Sequence, residues 1–556
     1  MPEDCNLPYQ FFRLFLTDSF MDNMVDKSKL YCARKGGRSE VASSITKDSV
    51  LTSVGIMFLT GYLTPAQRTL WWENREDTQH LWVKRAMSRD LFRDVLRYTY
   101  FVEPEDLDPG DAFWKVRPLF KEINSTAHNL IEQPEFVSTD EAMVRYFGPH
   151  PLKQSIREKP ERYGWKVWIL ATASGQLLAC QPYAGAKTLI ADQGLGQGPN
   201  VVLGLAQQYQ LKPGSKVGCD NLFTSFDLLD HMGDRGWGVV GTVRQNHIVG
   251  VPIPNKQEAN KSMQRGAMKT VYEDNSCLTV WKDSQPVFIT SNYAGPEPAG
   301  TCQWYGGQEK GYVAVPCPKM VLDYNSIMGG VDLLNQNVKN YRITARLKKW
   351  YWSLWTWFLN VQMVQAWRLY QHTMKRRHQQ LREKEEEDPK KFEEQLDSQG
   401  LSRPAKIPIR KAREEELKIK RREEKKKEDM SLLTFMRECV EMILQEHSDI
   451  RSNARIHARE VGARLSGDSR QAVRFDQSRP HFIVKTDVRG VCQHCKARSY
   501  YRCDTCSSAL HPVSRPIMWT HWTSRNIFCT ENTVCYLVFH YKILIYCKFC
   551  LIVIFL

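Results

Sequence analysis

Apolar positions fall into distinct textures along the chain. Up to about residue 130 they recur at three- and four-residue spacing, which predicts helices. Val50 to Leu59 is an apolar run of near-helix length, and Asp90 to Tyr98 repeats the spacing behind a helix start at Ser88-Arg89-Asp90. Trp71, Trp72, Trp82 and Trp114 are expected in the core of this part. From about 135 to 245 the texture shortens to strand-like runs separated by turn residues. Trp165 to Thr172 and Gln176 to Cys180, joined by Ser174-Gly175, predict a hairpin. Val201 to Ala206 predicts a helix, while Lys216 to Asp220 and Trp237 to Val243 predict strands. Strands alternating with helices imply an α/β domain with a mixed sheet.

Residues 246–318 are polar, with Pro, Gly and β-type pieces such as Pro286 to Thr290, and are expected to be an insertion. A helical pattern returns over 324–372 and includes the aromatic segment Trp350 to Phe358. Residues 375–429 are a mixed-charge tract, which predicts a solvated helix or a disordered linker. Lys418 to Lys427 within it also fits a nuclear-import patch.

Composition narrows the function. The chain has 556 residues, 42% hydrophobic and 25% charged, which excludes a disordered or collagen-like protein. Lys and Arg number 77 against 62 Asp and Glu, a net charge of +15, which favours a polyanionic partner and nucleic acid first. Asp4, Arg13, Asp18 and Asp22 interrupt every early apolar run, so no signal peptide is expected. The 16 cysteines are scattered, and reduced thiols in an intracellular chain are expected. Asn124-Ser125-Thr126 fits a glycosylation acceptor that such a chain would not use. Gly194 to Gly198 is read as a turn, because Pro199 stands where a dinucleotide loop needs its third glycine.

Three acids stand at expected element ends: Asp140 before the first strand material, Asp220 closing a strand, and Asp332 heading a helix. Carboxylates from separate elements can converge on Mg²⁺, leaving room for phosphate oxygens. Spacing alone favours reading each acid as a cap, turn or surface residue. Near the C-terminus, Cys492-x-x-Cys495 is followed by Cys503-x-x-Cys506, with His511 beyond. Such pairs supply the corners of a tetrahedral zinc site.

The order of motifs resembles the piggyBac transposable element-derived transposases. It runs from Asp140-Glu141-Ala142-Met143 through Lys159-Pro160-Glu161-Arg162-Tyr163-Gly164-Trp165-Lys166 to Cys219-Asp220-Asn221-Leu222-Phe223-Thr224-Ser225. Gly241-Thr242-Val243-Arg244 and Asp323 to Asp332 complete it. The resemblance covers about residues 8 to 512. It implies a ribonuclease H-like catalytic core of mixed sheet and helices over 135–245 and 319–372. A β-containing insertion domain over 246–318 would interrupt that core. A helical dimerisation and DNA-binding domain would precede it over 1–134. A charged linker over 373–429, a helix and linker over 430–485 and a zinc module over 486–513 would follow. The implied catalytic and Mg²⁺- or Mn²⁺-binding set is Asp140, Asp220 and Asp332. The family's fourth acid is replaced by Asn335, whose amide oxygen can coordinate but brings no charge.

The implied activity is metal-dependent cut-and-paste DNA cleavage and strand transfer in the nucleus. It frees a 3′-hydroxyl that attacks the opposite strand, giving a hairpin, and later attacks target DNA. TTAA targets, terminal inverted repeats and a homodimer come with it. Lys159, Arg162, Lys166 and Arg244 are candidate phosphate contacts. A catalytically impaired, transposase-derived DNA-binding or chromatin protein is the alternative, resting on Asn335. Residues 514–556 leave the resemblance. They are expected to be non-native sequence from a missed splice or frameshift, with a membrane tail anchor as the alternative, disfavoured by Lys542 and Lys548.

Overall fold

A computed structural model describes residues 4–446 apart from 68, 158, 307–309, 388 and 401, together with strand backbones between Ile483 and Phe555. Two compact units divide the chain, Met1–Asp449 and Ile450–Leu556.

The first unit begins with helices α1 (Pro8–Phe15), α2 (Asp18–Arg34), α3 (Ser39–Ser44), α4 (Lys47–Tyr62), α5 (Leu81–Ala86), α6 (Arg89–Tyr98) and α7 (Arg117–Leu130). Helix α4 starts at a reciprocal cap: Ser49 N donates to Thr46 Oγ1 at 3.1 Å, and Thr46 N donates to Ser49 Oγ at 2.9 Å. It is buried from Ser49 to Thr60, as its unbroken apolar run requires. Ser88 caps α6 as expected, accepting from Leu91 N. Trp71 is buried and Trp72 and Trp114 pack half-buried against the core. Trp82 departs from expectation and is 40% exposed. Helix α5 is only six residues long and buries Val83 and Ala86 alone, so Trp82 falls on its outer face beside His80.

The sheet strands are β1 (Phe136–Arg145), β2 (Gln154–Ser155), β3 (Tyr163–Thr172), β4 (Leu177–Pro182), β5 (Lys216–Cys219), β6 (Gly238–Thr242), β7 (Met268–Glu273), β8 (Ser276–Lys282) and β9 (Pro286–Ser291). Helices α8 (Gln197–Tyr209), α9 (Phe226–Gly233) and α10 (Lys256–Ser262) fall between them. The order is β2-β3-β1-β5-β6-β9-β8-β7, with β4 on β3. β1, β5 and β6 run parallel and the other pairings are antiparallel. The expected hairpin is β3–β4. The segment expected as an insertion contributes strands to this same sheet, because β9 pairs with β6 through Val240↔Ser291. It also carries a separate ribbon, β10 (Gly300–Gly306) with β11 (Gly311–Cys317).

Alternation sorts the side chains of β1 and β3. Ala142, Val144, Trp165, Val167 and Ile169 face the helical core, while Val137, Trp168 and Leu170 join the cluster containing α8 and α9. Helices α11 (Lys319–Ile327) and α12 (Gly329–Asn340) return the chain to the sheet. Gly330 lets α12 approach closely: a Cβ there would lie 2.2 Å from Thr172 O and 2.7 Å from Ser138 Oγ.

Helix α13 (Trp352–Glu387) is the spine of the unit. Leu354, Phe358, Leu359, Val361 and Met363 are buried on it, and Phe11 meets Tyr370 edge-on at 5.3 Å. Gln365 is fully buried and mimics a strand partner: its Oε1 accepts from Leu177 N at 2.8 Å and its Nε2 donates to Leu177 O at 2.6 Å. The mixed-charge tract is helical, forming the end of α13, α14 (Pro389–Ser398) and α15 (Arg403–Glu428), and a further helix spans 432–446. His378 and Glu428 tie α13 to α15 at 2.8 Å. Among the described residues, no helix is long and apolar enough to cross a membrane.

Candidate active site

β1 and β5 are parallel neighbours in the register Val137↔Val217, Ser138↔Gly218, Thr139↔Cys219. One step further along, Asp140 on β1 stands beside Asp220, the first residue past β5. Parallel strands lie about 4.8 Å apart, so the two carboxylates leave neighbouring backbone positions, at the carboxyl end of β5 and midway along β1 where its pairing with β5 stops; Asp140, expected ahead of the first strand, lies inside it. That edge is where open α/β sheets place their sites.

Asp140 is nearly buried and Asp220 half-buried. Asp140 Oδ1 accepts from Glu141 N and Asp220 Oδ1 from Leu222 N, each at 2.8 Å. Lys159, on the loop before β3, brings its ammonium 3.7 Å from Asp140 Oδ2 and 3.3 Å from Glu141 Oε1. Burial, with Glu141 and Asp220 adding repulsion, holds the Asp140 carboxyl up at about 7 despite Lys159. Burial also raises Asp220. Burial works against the Lys159 ammonium, but Asp140 and Glu141 outweigh it and hold it above its usual value. One ammonium therefore does not balance the acids gathered there.

Asp332 sits in the first turn of α12, exposed, and its charge reaches Lys159. Asn335 lies one turn on, half-buried, with Nδ2 3.5 Å from Glu141 O. Among the described residues, no three His, Cys, Asp or Glu side chains come close enough to hold a metal ion. The fold thus brings Asp140 and Asp220 together and leaves Asp332 at the rim. The donor set still fits a hard divalent cation. Two adjacent, charge-strained carboxylates face an edge beside Glu141, whose Oε2 is buried without a hydrogen-bond partner.

The candidate phosphate contacts separate. Lys159 is engaged with the acids. Lys166 is half-buried with its ammonium 3.7 Å from the centre of the Trp168 ring, and burial lowers its proton affinity. Arg162 is exposed and lies over the Tyr163 ring at 5.2 Å. Arg244 is exposed, with Nε donating to Asn221 Oδ1 at 3.0 Å beside Asp220. Cys492, Cys495, Cys506 and His511 lie outside the described residues, and Cys503 ends a strand described by its backbone alone. Asn124 is locked into a peptide-like pair with Cys180, accepting from its N at 2.8 Å and donating to its O at 3.1 Å. Its amide therefore serves the fold.

Glu141 and Tyr324 were not singled out by sequence reasoning. Glu141 follows Asp140 directly, and strand alternation alone would send it to the opposite face; only the position of Lys159 joins the two. Tyr324 follows Asp323 within a quoted motif. Burial pushes its hydroxyl up to about 12, a hydrogen bond with Thr242 opposes this, and Asp220 and Asp140 are close enough to add to it.

The sequence matches the transposase IS4 family over residues 7–367. PiggyBac transposable element-derived protein 3 of Homo sapiens is 34% identical over 366 residues, covering 65% of this chain and 61% of that protein. PiggyBac transposable element-derived protein 2 of Homo sapiens is 30% identical over 367 residues, again covering 65% and 61%. The chain thus spans about three fifths of the length of these relatives. Among solved structures, a piggyBac transposase in a synaptic complex with hairpin DNA, determined by cryo-EM, matches with a TM-score of 0.63 at 18% identity. The match covers 92% of this chain and 96% of that one, a likeness of fold.

Proposed function

Because the chain belongs to the piggyBac-type transposase IS4 family, we propose that it binds DNA and carries out divalent-metal-dependent phosphodiester cleavage and strand transfer. The observation that carries this reading is the adjacency of Asp140 and Asp220, one step beyond the last paired positions of the parallel strands β1 and β5. On this reading the β1–β6 region with α11 and α12 is a ribonuclease H-like core.

Asp140 and Asp220 would hold Mg²⁺ or Mn²⁺, with Asp332 joining from α12 and the Asn335 amide oxygen as a neutral donor. A bound divalent cation would supply charge neutralisation at the scissile phosphate and activation of the attacking oxygen. The chain's own residues do the positioning. Gly330 seats α12 against β1 and β3, which sets how far Asp332 stands from the pair. Lys159 supplies positive charge between Asp140 and Glu141 when no other cation is there. Arg244, anchored on Asn221, is aimed along the same edge and suits a backbone phosphate.

Terminal inverted repeats and TTAA sequences as substrates, a homodimer, a nuclear location and a zinc module built on Cys492, Cys495, Cys503, Cys506 and His511 belong to the same proposal. A second reading, DNA binding without cleavage, is favoured by one pair of facts. Asn335 brings no charge, and no three-acid metal group forms among the described residues.

A cleavage assay with Mg²⁺ or Mn²⁺ tests the proposal. It uses DNA ends from repeats flanking the protein's own gene, with Asp220→Ala as control. Cleavage lost in Asp220→Ala supports the enzyme. Binding without cleavage supports the second reading.

A further inference from the structure

The β1–β3 ladder has a second face, opposite Asp140, that runs to the Arg145 end of β1. Alternation puts Glu141, Met143 and Arg145 on that face of β1, and the pairs Met143↔Lys166 and Arg145↔Gly164 add Lys166 from β3. Just past the ladder, Tyr146 N donates to Tyr163 O at 3.1 Å, so Phe147 and Arg162 follow as the next cross-strand positions.

Phe147 is 63% exposed. A single exposed apolar residue means little by itself. Here the ring lies under the Arg145 guanidinium, 4.8 Å from its centre, and Arg162 covers Tyr163 in the same way at 5.2 Å. Glu161 pairs with Arg145 at 3.5 Å and with Arg342 at 2.7 Å, so one carboxylate is shared by two guanidiniums and positive charge remains. Basic groups that track a backbone beside an aromatic face are the arrangement that binds unpaired nucleotides, because any base can stack on the ring. A paired base presents no free face to such a ring except at a duplex end.

We propose that Arg145, Phe147 and Arg162 form a landing site for an unpaired stretch of DNA strand, with Phe147 stacking on a base and the two arginines on flanking phosphates. Along β1, Phe147 lies seven positions from Asp140, roughly 23 Å at strand rise. The strip would therefore hold the strand away from the acids. This rests on the DNA-binding reading above and names which form of DNA the surface takes.

The test uses the full chain without divalent metal and compares two fluorescent probes by anisotropy: a duplex with a short single-stranded tail, and the same duplex blunt. Phe147→Ala is expected to weaken binding of the tailed probe about tenfold, the order of one lost base stack, and to leave the blunt probe unchanged. Phe147→Trp is expected to bind the tailed probe at least as tightly as wild type. Equal affinities of wild type and Phe147→Ala for the tailed probe would overturn the site while leaving DNA binding intact. Equal losses on both probes would also overturn the assignment to unpaired strand. If wild type bound neither probe, the DNA reading itself would fall, and this inference with it.

Discussion

Lys159 lies between two acids, with its ammonium 3.7 Å from Asp140 Oδ2 and 3.3 Å from Glu141 Oε1. Asp140 nevertheless titrates near neutrality, because burial and the neighbouring carboxylates outweigh that single cation. The edge of the sheet therefore carries unbalanced negative charge. Lys159→Met is expected to lower the melting temperature in metal-free buffer, with Mn²⁺ recovering most of the loss. A variant that melts like wild type in chelator would show that the ammonium contributes nothing against the repulsion of the acids.

The same imbalance fixes a pH dependence. The Asp140 carboxyl is raised from 3.8 to about 7 on folding. Between those values the folded chain holds a proton that the unfolded chain has released. Its contribution to stability therefore falls as pH rises through that window and is fully unfavourable above it. Asp140→Asn is expected to melt higher than wild type at about pH 8 in chelator, with the gain shrinking as pH falls towards about 4. Thermal melts across that range check this, and a gain that grew on acidification would contradict it.

Gly330 sets how closely α12 approaches the sheet. Alanine there places a Cβ 2.2 Å from Thr172 O, which is backbone and cannot swing away, so α12 must shift off the sheet. Gly330→Ala is expected to cost about 1–3 kcal/mol of stability, as overpacking does. If the account is right, any divalent-metal affinity drops with it, since Asp332 rides on α12. Chemical denaturation and metal titration on the same variant separate the two effects.

Much of this was legible in the sequence and some was not. The buried run of α4, the β3–β4 hairpin and the strand ending before Asp220 follow from period and turn chemistry. The pairing of β9 with β6 is not legible in the sequence, because it is a long-range choice that leaves no mark on local alternation. Trp82 was misplaced because a six-residue helix buries only a narrow stripe. Asp220 reads as an acid at a strand end and Asp140 as one ahead of the first strand, yet Asp140 lies within β1, and the adjacency of the two depends on a parallel register that composition cannot show. Nothing in the local sequence of Lys159 reveals that it folds back onto the acids.

Asn335 marks where activity and binding part. Its Nδ2 reaches Glu141 O only at 3.5 Å, so little is lost when the donor is removed. Asn335→Asp is expected to be slightly less stable than wild type in chelator, and to bind Mn²⁺ about tenfold more tightly, roughly 1.4 kcal/mol. Cleavage that appears only in Asn335→Asp would identify the present chain as a DNA-binding derivative.

Away from the site, Gln365 satisfies both backbone groups of Leu177 from the core. Gln365→Leu leaves a buried N–H and C=O without partners, and is expected to cost at least about 2 kcal/mol. A loss near zero in urea denaturation would show that β4 finds those partners elsewhere.

The proposed function requires Asp140 and Asp220 to form a divalent-cation site where the pairing of β1 with β5 ends. Calorimetric titration of the full chain with Mn²⁺ tests it most directly, comparing wild type with Asp220→Asn at a pH above 7. Wild type is expected to bind saturably, and Asp220→Asn to lose that binding. Binding of equal strength in both, or none in wild type with folded protein in the cell, would contradict it.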